Sequence, residues 1–149
     1  MRAELEPTAG HGDNLIRNLA YWARVRPAAT AVVVDGESMT WQALNEQANR
    51  FANGLAARGF LPGNRVGMLM HNRLEFPIAL LGTLKAGGGI VLLNVRYTPD
   101  EIRHPITDSG LSVIVADCEL LHLLDGLCEY APLVEVITTR PSDGCTTMA

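Results

Sequence analysis

From residue 60 onward, short apolar runs bounded by turn residues alternate with stretches of helical periodicity, and this alternation restricts the chain to βαβ units. Segments 65–70, 90–93, 112–116 and 133–138 read as strands. Segments 73–86, 98–109 and 117–128 between them read as helices. Strands joined through helices run parallel, with the helices on the sheet faces. Ile90-Val91-Leu92-Leu93 is wholly apolar, the composition of a strand covered on both faces. The expected fold class is α/β: a partial doubly wound, mostly parallel sheet with flanking helices.

Local signals place the joints. Asp13 reads as the cap of a helix over 14–26, with Leu15, Leu19 and Trp22 on one face and Pro27 after its end. Segments 31–34 and 38–40 flank Asp35-Gly36, a hairpin turn. Thr40 caps a helix over 41–58, whose apolar positions Leu44, Ala48, Phe51 and Leu55 are spaced by four, three and four. Gly59 stands where a left-handed C-cap is expected, and Pro62-Gly63 makes a turn. Asn72 and Glu75 look like a capping pair. Thr98-Pro99-Asp100-Glu101 places a Thr cap, Pro at the first helical position and Glu at the third. Pro105 is expected to kink or shorten that helix. Asp117 is expected to cap the Leu-rich helix that follows. Residues 1–12 and 140–149 lack periodicity and are expected to be disordered tails around one incomplete α/β subdomain over 13–139.

Composition narrows the function classes. Of the 149 residues, 48% are hydrophobic and 19% charged, which suits a soluble globular fold. A net charge of −4 does not suggest nucleic-acid binding. Residues 1–99 carry ten basic and seven acidic groups, whereas residues 100–149 carry two and nine. The acidic part reads as solvated surface, with a docking face for a basic partner as the rival reading. Cys118, Cys128 and Cys145 are odd in number and match no disulfide or zinc spacing, and His122 completes no metal frame. A reducing cytoplasm is the expected location. Residues 1–12 have no apolar core of the signal-peptide type. The long apolar stretch 76–95 is broken by Lys85 and Gly87-Gly88-Gly89, so no membrane span is expected.

Few residues invite a catalytic reading. Gly82-Thr83-Leu84-Lys85-Ala86-Gly87-Gly88-Gly89 resembles a phosphate loop in composition only. Phosphates bind where a strand runs into a helix N-terminus, whereas these glycines follow a helix and precede a strand. They read as a tight turn. The sequence holds no G-x-S-x-G and no H-E-x-x-H. His11, His71, His104 and His122 are scattered. His71 lies at a strand's C-terminal end, where α/β sites form, but reads first as a loop residue. Arg96, in Asn94-Val95-Arg96, either faces such a crevice or pairs with a carboxylate of the next helix.

Taken in order, these segments resemble the opening of the adenylate-forming ligases. The resemblance runs over roughly residues 14–138. It rests on Thr40-Trp41-Gln42-Ala43-Leu44-Asn45, Ala48-Asn49-Arg50, Gly59-Phe60-Leu61-Pro62-Gly63-Asn64-Arg65-Val66, Asn72-Arg73-Leu74-Glu75, Lys85-Ala86-Gly87, Leu93-Asn94-Val95-Arg96, Thr98–Ile102 and Asp108-Ser109-Gly110. Leu93-Asn94-Val95-Arg96-Tyr97-Thr98 is similar to the acyl-CoA ligase version of this stretch, which implies fatty or aryl carboxylates rather than amino acids.

The resemblance implies a two-step reaction in which a carboxylate and ATP form an acyl-adenylate and CoA then displaces AMP. ATP, Mg²⁺ and CoA are its implied cofactors. The Ser/Thr/Gly-rich phosphate loop, the Tyr-Gly-x-Thr-Glu motif, the ribose-binding Asp and the catalytic Lys of that family have no counterpart among these residues. No catalytic, cofactor-binding or metal-binding residue is therefore carried over, and no cofactor is expected for this chain alone. Pro105 is a lesser departure from the family pattern. The expectation is a truncated or split fatty-acid–CoA ligase, inactive by itself. The alternatives are an interaction or dimerisation module, as a homo-oligomer or with a separately encoded remainder, and a small nucleotide-binding α/β protein.

Overall fold

The computed structural model describes residues 14–131 and 134–139. The expected tails and the cap assigned to Asp13 lie outside the described residues. Asn14 serves as the first cap: its side-chain oxygen accepts from the backbone N–H groups of Ile16 and Arg17 and opens α1 (Leu15–Val25). Leu19 is buried and Trp22 stacks on Trp41, but Leu15 is half exposed rather than part of the buried stripe. β1 (Thr30–Val34) and β2 (Glu37–Thr40) pair antiparallel through Asp35-Gly36, both with positive φ. Thr40 accepts from the Ala43 N–H and starts α2 (Trp41–Ala57), which buries Leu44, Ala48 and Leu55 as its spacing predicts.

The end of α2 shows why Gly59 is needed. Its φ is +81°, the Gly59 N–H donates to Ala56 O, and the Phe60 N–H donates to Leu55 O. This is the paired bonding of a Schellman motif, sealed by Phe60 against Leu55 in one cluster. α3 (Glu75–Lys85) ends the same way. Gly87 has φ +76°, its N–H donates to Leu84 O, and the Gly88 N–H donates to Thr83 O. The glycine-rich stretch is the tight turn its polarity predicts. The start of α3 differs from expectation: Leu74 stands at the cap position in helical geometry, with no side-chain cap, and Asn72 does not cap it. Pro77 is tolerated because the third residue of a helix has no intrahelical acceptor for an N–H.

β3 (Arg65–Leu69), β4 (Gly89–Leu92), β5 (Val113–Ala116) and β6 (Glu135–Thr138) form one wholly parallel sheet in the order β4-β3-β5-β6. Val66, Met68, Val113 and Val115 face Leu55 and Ala79, from α2 and α3. Leu69, Ile114 and Ala116 face Ile102 and Ile106 of α4 (Pro99–Ser109), together with Leu120, Leu123 and Leu124. Helices thus cover both faces, as an alternating pleat requires. A third cluster joins Leu19, Leu44, Ala48 and Leu81 and seats α1 and the hairpin on the outer side of α2 and α3. That contact is close: a Cβ on Gly82 would lie 2.9 Å from Ala48 O.

Three expectations are corrected. The apolar strand β4 lies at a sheet edge, so Ile90 and Val91 are half-buried and Leu92 is 66% exposed. Apolarity alone did not separate edge from centre. Pro105 does not shorten α4, which runs through it to Ser109 and closes on Gly110 at φ +61°. The Leu-rich segment is not one α-helix. It is a 3-10 helix over Cys118–Leu124 followed by the short α5 (Leu127–Tyr130), separated at Gly126, whose φ is +73°. Among the described residues no helix is long and apolar enough to cross a membrane.

The predicted capping box at α4 is present, with Thr98 Oγ1 accepting from the Glu101 N–H. In return, the Glu101 carboxylate accepts from the Thr98 backbone N–H at 2.8 Å and from its hydroxyl at 3.0 Å. The backbone bond first, then the hydroxyl, holds the Glu101 pKa below its ordinary 4.5. A carboxylate depressed on folding contributes stability above its unfolded pKa and loses it as pH falls through the folded value. Urea unfolding across this acidic range should show a decline in stability that Glu101→Gln makes shallower. An identical pH profile for the variant would remove the cap from this account.

Candidate functional site

In a parallel sheet all C-terminal strand ends lie on one side, and crevices open where the strand order reverses. After β3 the chain places β4 on one side and β5 on the other, so the reversal lies between β3 and β5. Three polar residues stand just past adjacent strand ends: His71 after β3, Asp117 after β5 and Thr139 after β6.

Asp117 is the centre of this group and has no exposed surface. Burying a carboxylate is costly unless hydrogen bonds and countercharge surround it. Its Oδ2 accepts the His71 backbone N–H at 2.8 Å and lies 3.0 Å from His71 Nδ1. A carboxylate oxygen only accepts, so Nδ1 carries the proton in this arrangement. Asp117 Oδ1 accepts the Thr139 hydroxyl at 3.1 Å and Arg73 Nη1 at 3.4 Å. The Asp117 backbone N–H meanwhile donates to Leu69 O, and the Thr139 N–H donates to Ala116 O. Backbone and side chain together tie three strand ends. The expected helix cap at Asp117 is therefore corrected: its side chain makes no cap bond.

Glu119 adds a second carboxylate beside this group. Its Oε1 lies 3.8 Å from His71 Nδ1 and its Oε2 lies 4.0 Å from Arg73 Nη1. Arg73 also reaches Glu75, at 3.8 Å. His71 and Glu119 have side chains about half exposed, whereas Asp117 is closed to solvent. The site thus has a buried anchor and an accessible rim. One donor atom each from His71, Asp117 and Glu119 falls within 4.8 Å of the others.

The other sequence candidates lie elsewhere. Asn94 accepts the Arg96 backbone N–H at 3.0 Å. The Arg96 side chain is exposed and makes no ion pair with the carboxylates of α4, so that pairing does not form among the described residues. His122 is exposed, with Nδ1 2.9 Å from Glu119 O, and the Cys128 thiol is exposed and free. His11 and Cys145 lie outside the described residues. Sequence reading singled out His71 by its strand end but not Asp117, Arg73 or Glu119. His71 and Asp117 are 46 residues apart, and no local spacing joins them. The available signal was a polar residue directly after each apolar strand.

The family model described as AMP-binding enzyme matches residues 19–146. The long-chain-fatty-acid–CoA ligase of Escherichia coli O6:H1 is 39% identical over 118 residues, which are 78% of this chain and 21% of that relative. The chain thus spans about a fifth of the length of this curated relative. Among solved structures, a benzoate CoA ligase from Burkholderia xenovorans LB400 superimposes with a TM-score of 0.79 at 30% identity, covering 86% of this chain and 26% of that one. A Mycobacterium tuberculosis fatty acyl CoA synthetase gives 0.78 at 30% identity, covering 85% and 26%.

The cluster makes a stability prediction. Asp117→Asn keeps the shape but replaces an acceptor pair with one acceptor and one donor. Chemical denaturation should show a loss of about 2–3 kcal/mol, the range for breaking charged hydrogen bonds around a buried group. Thr139→Val removes one neutral donor and should cost about 1 kcal/mol. Equal stability of Asp117→Asn and the parent would contradict the role given to this carboxylate.

Proposed function

The chain belongs to the AMP-binding enzyme family, and from that premise we propose that it is the N-terminal portion of a fatty-acyl-CoA-ligase-type adenylate-forming enzyme and supplies scaffold rather than reacting groups. The observation that carries this reading is the match to a long-chain-fatty-acid–CoA ligase over 78% of this chain but 21% of the relative. The reaction proposed for the whole enzyme joins a carboxylate to the α-phosphate of ATP, releases pyrophosphate, and lets the CoA thiol displace AMP. Fatty or aryl acids fit the Leu93–Thr98 stretch noted above.

Charge grows on phosphate oxygens in such a reaction, so Mg²⁺, basic groups and free backbone N–H donors must converge on them. This chain has one glycine-rich stretch of the right composition, and it closes a helix C-terminus. Its N–H groups at Gly87 and Gly88 are already spent on Leu84 and Thr83 carbonyls. In this reading ATP, Mg²⁺ and CoA are handled by parts of the enzyme that these residues do not supply. The chain alone then forms no acyl-CoA, and the enzyme acts in the cytoplasm.

A second reading, a self-associating or docking module, is favoured by the open edge of the sheet. β4 has no neighbour on its outer side among the described residues and exposes Leu92. Unpaired edges with apolar side chains pair readily with another chain. The partner would be a second copy or a separately encoded remainder of the ligase. A small nucleotide-binding protein is the weakest reading, because the glycine turn faces its carbonyl end toward any phosphate.

Purified chain incubated with ATP, Mg²⁺, CoA and a fatty acid should yield no acyl-CoA by mass spectrometry, and product formation would overturn the scaffold reading. Light scattering separates the second reading: a module of that kind gives a stable dimer, whereas a monodisperse monomer counts against it.

A further inference from the structure

We propose that Lys85 is a site of N-acylation, its side-chain amine taking the acyl group of an acyl thioester. The inference is independent of the ligase reading and uses only the junction between α2 and α3. Lys85 is the single lysine among the 149 residues. Every other formal positive charge in that count is an arginine, whose guanidinium stays protonated and does not act as a nucleophile.

Lys85 stands in the last turn of α3 and reaches across to α2. Its Nζ lies 2.6 Å from Asn45 Oδ1 and 2.6 Å from Asn49 Oδ1, two neutral acceptors one helical turn apart. A tetrahedral nitrogen has four positions. One holds Cε, and two hold the protons donated to the asparagines. The fourth holds a third proton in the ammonium and the lone pair in the free amine. The amine therefore keeps both hydrogen bonds when it sheds its proton, and those bonds aim its lone pair away from the two amides. Asn49 is exposed and Lys85 is half-buried, which leaves a path from solvent to the nitrogen.

No carboxylate holds this nitrogen in its charged form. None of the ion pairs among the described residues includes Lys85. The charged groups on the elements packed around α3 are Arg17 and Arg24 of α1, Glu37 of β2, Glu46 and Arg50 of α2, and Arg65 of β3. Glu46 accepts from Gln42 Nε2 at 2.9 Å, and Glu75 at the far end of α3 pairs with Arg73. Burial without a countercharge lowers the Lys85 pKa from its ordinary 10.5. The carbonyl end of α3 opposes this, because a helix C-terminus favours a cation. Its last carbonyls are partly taken, however, by the N–H groups of Ala86, Gly87 and Gly88.

The step is an acyl transfer without change in oxidation state. The Nζ lone pair attacks the thioester carbonyl carbon and forms the C–N bond. The C–S bond then breaks, and the departing thiolate takes up the proton that the nitrogen sheds. The products are an amide and a free thiol. The amide keeps one N–H where the amine gave one to each asparagine, and it carries no charge. Acylation therefore removes one of the two tethers between α3 and α2.

Incubating the full 149-residue chain with acetyl-CoA or octanoyl-CoA, then mapping peptides by mass spectrometry, tests this. Hydroxylamine strips acyl groups from thiols before the digest. Arg17→Lys supplies an exposed reference amine in the same molecule. Lys85 should acylate severalfold faster than that reference at mildly alkaline pH, and its rate should level off at a lower pH. Asn45→Asp and Asn49→Asp each place a carboxylate beside Nζ and so favour the ammonium. Each should slow Lys85 about tenfold, the effect of one pKa unit, and leave the reference rate unchanged. Circular dichroism checks that the variants keep the fold, and the comparison of Lys85 with the reference amine needs neither of them. Equal rates at Lys85 and the reference, a Lys85 rate unmoved in both folded Asp variants, or acylation by acetyl phosphate alone would overturn the assignment.

Discussion

A fully buried carboxylate at the end of β5 sets the terms for the rest of this fold. Asp117 has no exposed surface, so its oxygens need donors, and the donors come from the segments that follow the two flanking strands. Meeting that demand fixes where β3 and β6 stop and how the chain leaves them. The apolar faces of β5 supply most of the burial. Asp117 supplies alignment, because only one register brings the His71 N–H and the Thr139 hydroxyl to the same two oxygens.

The layered architecture follows from sidedness. β5 is buried along its whole length because β3 and β6 flank it and helices lie on both faces. β3 is similarly enclosed, whereas β4 has one neighbour and shows it in the exposure of Leu92. Placing the acidic 3-10 segment beside the C-terminal strand ends gives that rim its carboxylates. The charge imbalance along the sequence is thus partly a spatial imbalance, with Asp117 and Glu119 drawn toward Arg73 and His71 from the other part of the chain.

Much of this was legible in the residues, for physical reasons that differ by element. Thr98-Pro99-Asp100-Glu101 was readable because a capping box is satisfied within four residues. The turns at Gly59 and Gly87 were readable because left-handed geometry selects glycine wherever it occurs. The α2 stripe was readable because periodicity reports burial directly. The errors concern non-local competition. Asp117 looks like a cap until a partner 46 residues away claims its side chain. Ile90-Val91-Leu92-Leu93 looks central until the strand order is known. Pro105 looks disruptive until Ile102 and Ile106 are buried on either side of it. The His71 cluster belongs to the same class, since topology assembles it.

The opposite end of the sheet is built on another principle. There the turn after α2 and the turn after α3 meet: the Gly63 N–H donates to Gly87 O, the Gly89 N–H donates to Asn64 O, and a Cβ on Gly87 would press within 3.1 Å of Pro62. This junction is held chiefly by main chain, with no titratable group in those bonds. The two ends of the sheet therefore answer to different variables. The polar end is held by charged side chains and so answers to salt. The glycine end is held by uncharged main chain and answers to stereochemistry, so an added Cβ presses on a spacing that salt leaves alone.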